Sequence, residues 1–388
     1  MKKTRLAIIQ THPIQYYSPL YRRMAENPVF DFKVFYTWPQ AADGFFDPKF
    51  KTVVKWDIPL LEGYDYEMVK NISRNPGSQR FFGVINPDLL SAVEQWQPDA
   101  VLIIGWKHYS HLRAMMHFKG RIPVLFRGDS TLLDEQPGMK QKLRRFVLKS
   151  VYRYVDYALY VGTENKKYFL AHGLVPEQLV FFPHAVENGR FYDPDGIKQR
   201  QALEWRQKLG IKPEDLTFIY AGKFEPKKNV SLLVQAFRRL KGENLRLILV
   251  GSGERERLLR QLAAADNRIV FLPFQNQSRM PLVYRLADVF VLPSAWGETW
   301  GLAINEAMAS GRAVLVSDRV GCAADLVKSG INGYIFQSGN QQDLAEKMQL
   351  FSVEKARRMG RESREIIEDW SYQKGIEELQ RLFKLLKS

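Results

Sequence analysis

The sequence predicts an α/β protein made of two doubly wound halves, each with a parallel sheet between helices. Near the amino end, the apolar run Leu6–Ile9 passes through the loop Thr11–Leu20 into a helix ending near Ala25. That strand–loop–helix order belongs to a parallel sheet with crossover helices. The order restarts in the second half: Thr217-Phe-Ile-Tyr-Ala-Gly222 forms a strand, Lys223–Asn229 a turn, and Val230–Leu240 a helix. The runs themselves are continuous rather than alternating. Val289–Leu292 and Ala313–Ser317 are apolar and rich in β-branched residues, as strands buried on both faces require.

In the first half, the loop after the opening strand holds His12 beside Pro13. His12 either faces the ligand side of this loop or caps it. Phe32–Tyr36 reads as the second strand. Residues 38–85 are rich in aromatics, glycine and proline with weak periodicity, which predicts long loop structure. Pro98–Gly105 holds a clear strand, with Trp106-Lys-His-Tyr-Ser-His111 at its carboxyl end. His108, Tyr109 and His111 there could meet a substrate. They form no metal site by spacing, because no cysteine or carboxylate completes one.

Ile122–Ser130 is a strand running into a polar turn. Its Arg127-Gly128-Asp129 tripeptide ends a buried strand in a chain with no secretion signal, so we reject an adhesion motif. The segment Gln141–Val155 is basic and amphipathic. Leu143, Val147, Leu148, Val151 and Val155 share one helical face, surrounded by Lys142, Arg144, Arg145, Lys149 and Arg153. Two readings fit: contact with anionic lipid headgroups, or a core-packed helix with a solvated basic side. Tyr157–Val161 is a strand, Glu164–Ala171 a helix, and Leu179–Phe182 leads into Pro183-His-Ala-Val-Glu-Asn-Gly-Arg-Phe191.

In the second half, Gly222 ends a strand while Lys223 and Lys228 flank the turn. Two cations at a strand's carboxyl end, beside a helix N-terminus, make an anion site; a solvated lysine pair is the alternative. Leu245–Val250 runs into a second glycine turn, Gly251-Ser-Gly253-Glu254, and Ile269–Phe274 is the next strand. Then comes Val289-Phe-Val-Leu-Pro-Ser-Ala-Trp-Gly-Glu298-Thr-Trp-Gly-Leu-Ala-Ile-Asn-Glu306-Ala-Met-Ala-Ser-Gly311. It reads as a buried strand, a tight turn bracketed by Gly297 and Gly301, and a helix stopped by Gly311. The turn therefore lies at a strand's carboxyl end, where open α/β sheets bind ligands. Glu306 sits among Leu302, Ala303, Ile304, Ala307, Met308 and Ala309. A carboxylate in so apolar a helix is costly unless something satisfies it; a pair of sugar hydroxyls would. Leu379–Leu386 closes the chain as a basic amphipathic helix.

Glu298 and Glu306 are separated by seven residues within Gly-Glu-Thr-Trp-Gly-Leu-x-x-Asn-Glu-Ala-Met-Ala-Ser-Gly. This resembles the Glu-x7-Glu signature of the retaining glycosyltransferases of family 4 (group 1). The resemblance covers residues 200–388 specifically and the first half loosely. It implies the GT-B fold, two Rossmann-like domains facing a cleft. Residues 1–190 would then be the acceptor-binding domain, 191–365 the nucleotide-sugar-binding domain, and 366–388 a C-terminal helix packing back across the domains.

The resemblance also implies roles. Glu298 would contact the donor sugar and Glu306 the nucleotide ribose. Lys223 and Lys228 would grip the donor pyrophosphate. Gly222, Gly251 and Gly253 would line the donor side, and Phe274 would lie beside the base. Thr299, Trp300, Gly301 and Leu302 would form the turn that offers backbone N–H groups to sugar or phosphate. The sequence departs from the family in places. His12-Pro13-Ile14-Gln15 stands where a Gly-Gly pair is usual, Lys223 where Arg is usual, His184 where Asn is usual and Cys322 where Gly is common. Asp129 stands where a His is common; it either orients an acceptor hydroxyl or caps the next helix.

The 388 residues suffice for two domains, and 45% hydrophobic with 26% charged residues is the balance of a globular protein. The formal net charge of +15 points to an anionic partner. The basic residues are dispersed and show no recognition motif, so a nucleic-acid partner is not expected. The single cysteine, Cys322, allows no internal disulfide and fits a reducing cytoplasm. The amino-terminal apolar run is too short for a signal peptide or a membrane span. Asp193-Pro194-Asp195 matches the Asp-x-Asp metal motif in form, but it contains Pro and follows no strand. No metal and no cofactor are therefore expected.

The expected activity moves a sugar from a UDP- or GDP-type nucleotide sugar to a glycan or lipid-linked acceptor, in bacterial surface polysaccharide synthesis. The enzyme would be cytoplasmic, and peripheral at the inner membrane face if the basic helix serves lipid. The rival readings are a GT-B nucleotide-sugar epimerase and a basic nucleic-acid-binding protein.

Overall fold

A computed structural model describes residues 3–39, 45–47 and 52–387. The strands in chain order are β1 (Thr4–Gln10), β2 (Phe30–Tyr36), β3 (Phe45–Asp47), β4 (Thr52–Val54), β5 (Tyr66–Met68), β6 (Ala100–Ile104), β7 (Val124–Arg127), β8 (Tyr157–Tyr160), β9 (Leu179–Phe181), β10 (Leu216–Ala221), β11 (Leu245–Val250), β12 (Ile269–Leu272), β13 (Val289–Leu292), β14 (Ala313–Ser317) and β15 (Gly333–Phe336). They divide between two units. The first comprises Met1–Phe45, Ile58–Pro183 and Tyr372–Ser388, and the second Phe46–Asp57 and His184–Ser371.

The first unit is organised by a seven-stranded sheet in the order β5-β2-β1-β6-β7-β8-β9. Every neighbouring pair is parallel. Successive residues of a strand point to opposite faces, and here both faces are buried. Ala7, Ile9, Val101, Ile103 and Phe126 pack under Met115, Phe118, Val151 and Phe169. Leu6, Ile8, Leu102 and Leu125 pack under Leu20, Tyr21, Met24, Leu379 and Phe383. The last two come from the helix Tyr372–Lys387, whose buried stripe is Ile376, Leu379, Leu382 and Phe383. Its Tyr372 hydroxyl donates to the Tyr16 carbonyl at 2.8 Å.

The second unit has a six-stranded, all-parallel sheet in the order β12-β11-β10-β13-β14-β15. Strands β10, β13 and β14 are buried along their whole length. In both sheets the strand order reverses beside the sheet's first strand: between β1 and β6, and between β10 and β13. Those switch points are where a doubly wound sheet opens a crevice at its carboxyl edge.

The stretch 38–85 holds more structure than its composition suggested, although 40–44 and 48–51 lie outside the described residues. Strands β3 and β4 pair with each other, β5 adds a three-residue edge beside β2, and Phe81–Gly83 makes a 3-10 turn. Part of this stretch belongs to the second unit. Asn276 Nδ2 donates to the Lys55 carbonyl at 2.8 Å, and the Ser278 N–H donates to Asp57 Oδ1 at 3.0 Å.

The expected boundary at 190/191 falls inside the short helix Asn188–Phe191. Phe191 is fully buried and its carbonyl accepts from Arg285 at 2.6 Å, which ties that helix to the second unit. The boundary expected at 365/366 falls inside the continuous helix Val353–Glu368.

Candidate functional site

At the second unit's switch point, two loops rise from the carboxyl ends of β10 and β13. Tyr220 fixes the first. Its hydroxyl donates to the Lys223 carbonyl at 2.8 Å. Burial, and then the negative charges of Glu298 and Glu225, push this phenol well above its ordinary pKa, so it stays a neutral donor. The Ala295 N–H then joins the loops by donating to the Lys227 carbonyl at 2.8 Å.

Across that junction Lys228 Nζ bonds Glu298 Oε2, and Ser294 Oγ donates to the same oxygen at 2.8 Å. Lys228 and Glu298 are both largely buried, with side-chain exposures of 17% and 14%. Lys227 lies 3.4 Å from Glu225, and Lys223 stands at the head of the same turn. Three lysines and two carboxylates, Glu225 and Glu298, thus share the crevice edge of β10 and β13.

The glycine turn after β11 packs on this loop from the other side. Phe224 N–H donates to the Ser252 carbonyl at 2.9 Å. A Cβ on Gly251 would lie 2.0 Å from the Gly222 carbonyl oxygen, so no side chain fits. Gly222, Gly251 and Gly253 therefore serve the contact of loop on loop. Phe274 is half-buried after β12, at the next crevice position along the sheet.

Beyond Glu298 the chain is strapped to Val320–Cys322. Gly321 N–H donates to the Glu298 carbonyl and Cys322 N–H to the Trp300 carbonyl, both at 3.0 Å. Gly301 caps the helix Leu302–Ala309 with φ at 101°, and a Cβ there would meet Val320 at 2.8 Å. Only glycine has both the backbone freedom and the size for that position. Trp300 is buried: its indole N–H donates to Asn305 at 2.9 Å and its ring lies 5.0 Å from Trp370. Asn305 in turn donates to the His184 carbonyl at 2.9 Å. Thr299 and Leu302 flank this anchor.

Glu306 is 2% exposed. Its Oε2 accepts the Tyr284 hydroxyl at 2.6 Å, and Arg190 Nη2 stands 3.9 Å from Oε1. Arg190 also donates to Gln277 Oε1 at 2.6 Å. The apolar helix thus holds its carboxylate by a phenol and a guanidinium. Sequence reasoning missed Ser294, Arg190, Tyr284 and Gln277. Ser294 lay inside the signature stretch and Arg190 inside the quoted stretch Pro183–Phe191, so both could have been found there; Tyr284 and Gln277 have no motif around them.

Asp193 caps a helix. It accepts the N–H groups of Lys198 and Gln199 at 3.0 and 2.8 Å, at the start of Ile197–Lys208. Burial would raise its pKa, but these donors and Arg285 outweigh it and hold the carboxyl below its ordinary value. Among the described residues, no three His, Cys, Asp or Glu side chains gather as a metal-binding group.

The first unit's switch point is built differently. His12 Nδ1 lies 2.9 Å from Thr11 Oγ1, with its ring 5.2 Å from Trp38. His111 is fully buried between the Gly105 carbonyl, 2.8 Å from Nδ1, and the Thr37 hydroxyl, 2.9 Å from Nε2. Burial, then the neighbouring His108, bring His12 and His111 each down to a pKa of about 4. His108 is also lowered, chiefly by burial. These imidazoles are neutral near pH 7.

Arg127 is a buried clamp, donating to the Phe182 and Pro183 carbonyls at 2.7 and 3.3 Å. Asp129 follows β7 and lines a cavity with Lys107, His108 and Arg144. It caps no helix, because the next one, Met139–Tyr152, begins after Gly138. In that helix Leu148 and Val151 are buried, as is Val155 just beyond it, but Leu143 and Val147 face solvent. No helix among the described residues is long and apolar enough to cross a membrane.

Residues 201–366 match the family model described as glycosyl transferases group 1. The D-inositol 3-phosphate glycosyltransferase of Nocardia farcinica is 36% identical over 169 residues, 40% of this chain and 37% of that protein. The lipopolysaccharide 1,2-N-acetylglucosaminetransferase of Salmonella typhimurium is 31% identical over 161 residues, 38% of this chain and 42% of that one. The chain thus spans about two fifths of the length of these curated relatives.

Among solved structures, Anabaena HepE in complex with UDP superposes with a TM-score of 0.74 at 19% identity, covering 98% of this chain and 99% of that one. Sucrose-phosphate synthase from Thermosynechococcus elongatus gives 0.73 at 18% identity, covering 99% of each. With its two parallel-sheet α/β units, the chain has the GT-B fold. The likeness to group 1 glycosyl transferases lies in residues 201–366, and the relatives named are similar to this chain over about two fifths of its length.

Proposed function

We propose that this chain is a retaining, metal-independent glycosyltransferase, acting on a UDP- or GDP-type sugar and a glycan or lipid-linked acceptor in bacterial surface polysaccharide synthesis. The observation that carries this reading is the pair of held carboxylates at one crevice edge. Glu298 is fixed by Lys228 and Ser294, and Glu306 by Tyr284. A carboxylate fixed by its neighbours keeps acceptor capacity for sugar hydroxyls and does not have to be ordered when the ligand binds. The relatives named above for glycosyl transfer, and the neighbour bound to UDP, support the same substrate class.

In the proposed reaction the bond from the anomeric carbon to the diphosphate oxygen breaks. A bond from that carbon to the acceptor oxygen forms on the same face, and the acceptor proton passes to the departing diphosphate. Negative charge grows on that diphosphate. Lys223, Lys227 and Lys228 are the cations of the β10 turn, and a preorganised cation aimed at developing charge is a large catalytic term. Glu298 would take donor-sugar hydroxyls, Glu306 the ribose, and Phe274 the face of the base. Asp129 would orient the acceptor hydroxyl.

The proposal includes a peripheral position at the inner membrane face. Helix Met139–Tyr152 leaves Met139 81% and Phe146 70% exposed, beside Leu143 and Val147. Lys140, Lys142 and Lys149 are exposed on the same helix. Exposed apolar groups ringed by lysine suit an anionic lipid surface.

The test is a thermal-shift and hydrolysis screen of UDP-, GDP- and ADP-sugars, with and without EDTA, on the wild type and Glu306→Ala. Stabilisation by one nucleotide series, lost in the variant and indifferent to EDTA, is expected. No stabilisation by any nucleotide would overturn the donor site, and product isomerised without acceptor would favour an epimerase.

A further inference from the structure

A cavity of about 450 Å3 opens in the first unit beside the carboxyl ends of β6 and β7. One wall is aromatic with polar edges. Trp106, Tyr152 and Tyr168 line it, and Arg144 Nη2 donates to the Tyr168 oxygen at 3.3 Å. The Tyr168 hydroxyl and ring thus hold the Arg144 guanidinium at the cavity. Lys107 and Arg144 supply cations there, and Asp129 a carboxylate.

Directly along the sequence from the lining residues Gln79 and His108 lies an apolar shelf. Phe81, Phe82 and Tyr109 are 37%, 62% and 38% exposed. Their rings touch one another, Phe81 to Phe82 at 4.9 Å and Phe82 to Tyr109 at 5.8 Å between centroids.

The cavity carries charges of both signs, and one ligand must answer both. A carboxylate takes hydroxyl donors and no anion. Lys107 and Arg144 take an anion, and Arg is suited to phosphate. The aromatic shelf takes an apolar group at low ordering cost, because three rings already pack together. We infer that this cavity is a subsite for a phosphorylated saccharide. Its sugar hydroxyls meet Asp129, its phosphate meets Lys107 and Arg144, and any apolar substituent on the phosphate lies along Phe81, Phe82 and Tyr109. The saccharide's identity as acceptor rests on the glycosyltransferase reading; the binding chemistry does not.

Calorimetric titration of the full chain, without nucleotide, compares N-acetylglucosamine, N-acetylglucosamine 1-phosphate and farnesyl-diphospho-N-acetylglucosamine. The 1-phosphate is expected to bind at least about tenfold more tightly than the free sugar, the scale of one charge-assisted hydrogen bond. Lys107→Ala and Arg144→Ala should each remove about tenfold of that gain, with Arg144→Lys restoring part. Both side chains are exposed, so folding is expected to survive.

Tighter binding of the farnesyl probe, weakened by Phe82→Ser, would identify a lipid-linked saccharide as the ligand. Equal binding of the farnesyl probe and the 1-phosphate would identify a free sugar phosphate. Equal binding of the free and phosphorylated sugars, no binding of any probe, or no loss in the Lys107 and Arg144 variants would overturn the subsite. If sugar phosphate binds while no nucleotide stabilises the chain, the subsite stands and the transferase reading falls.

Discussion

The two sheets reverse their strand order at equivalent places, yet their crevice edges are furnished in opposite ways. At the second unit's edge the polar groups are charged and matched: Lys228 with Glu298, Lys227 with Glu225, Glu306 with Tyr284 and Arg190. At the first unit's edge they are mostly neutral. His12 and His111 are held uncharged by burial, and burial keeps the Tyr152 phenol protonated. One topology therefore serves two kinds of recognition. Fixed ions suit a ligand whose charge is always the same, such as a diphosphate. Neutral donors and acceptors suit hydroxyls, with charge kept for the rim at Lys107, Asp129 and Arg144.

The contrast breaks most sharply at the Lys228–Glu298 pair. Lys228→Ala should lower sugar transfer by about two to three orders of magnitude, as for other losses of a group stabilising developing charge. The same change should leave sugar-phosphate binding by the first unit untouched. Steady-state turnover beside calorimetry measures both, and equal loss of the two would mean the edges are not separate in function.

A smaller effect sharpens the matched-charge picture. Glu306→Gln keeps a shape that Tyr284 can still bond but removes the charge facing Arg190. Affinity for the favoured nucleoside diphosphate should fall about tenfold, the worth of a hydrogen bond to a charged group. Arg190→Lys should fall less, and unchanged affinity in both variants would remove the ribose role from Glu306.

The smallest effect concerns the neutral edge. His111 titrates near 6.5 when unfolded and near 4 when folded, chiefly because it is buried. The unfolded chain therefore binds more protons between those values. The stability this imidazole contributes is present above about pH 6.5 and is lost as the pH falls toward 4. In thermal melts from pH 7.5 to 4.5, His111→Gln should decline less steeply than the wild type. Parallel slopes would mean that His111 is not held neutral by the fold.

Much of this could be read in the sequence wherever one short stretch carries the structure. Val289–Gly311 encodes a strand, its exit turn and a helix without interruption, so the placement of Glu298 and Glu306 followed from spacing. Buried parallel strands announce themselves as apolar runs, and β1, β6, β10, β11 and β13 were all visible that way. Strand β5 was not. It is a three-residue edge, Tyr-Glu-Met, with no apolar run.

The partners of the carboxylates were hidden for another reason. Arg190 and Tyr284 reach Glu306 from segments remote in sequence, and only folding brings them together. The helix Met139–Tyr152 was half legible: periodicity grouped Leu143 and Val147 with Leu148 and Val151 on one face, but the sheet covers only part of that face. A helical stripe records which side is apolar and not how wide its neighbour is.

The helix Tyr372–Lys387 has a consequence for how the protein is made. It contributes Ile376, Leu379, Leu382 and Phe383 to the core beneath β1 and β6, although the rest of that unit's sheet is complete by residue 181. Domains commonly fold in the order they are synthesised, but here the unit that begins first needs a segment made after the second unit. Until this helix emerges, that face is covered only in part, by Leu20, Tyr21 and Met24, while 184–371 can already close its own core. At that stage part of the apolar face of β1 and β6 still lacks its partner, and the sixteen-residue helix is what supplies it.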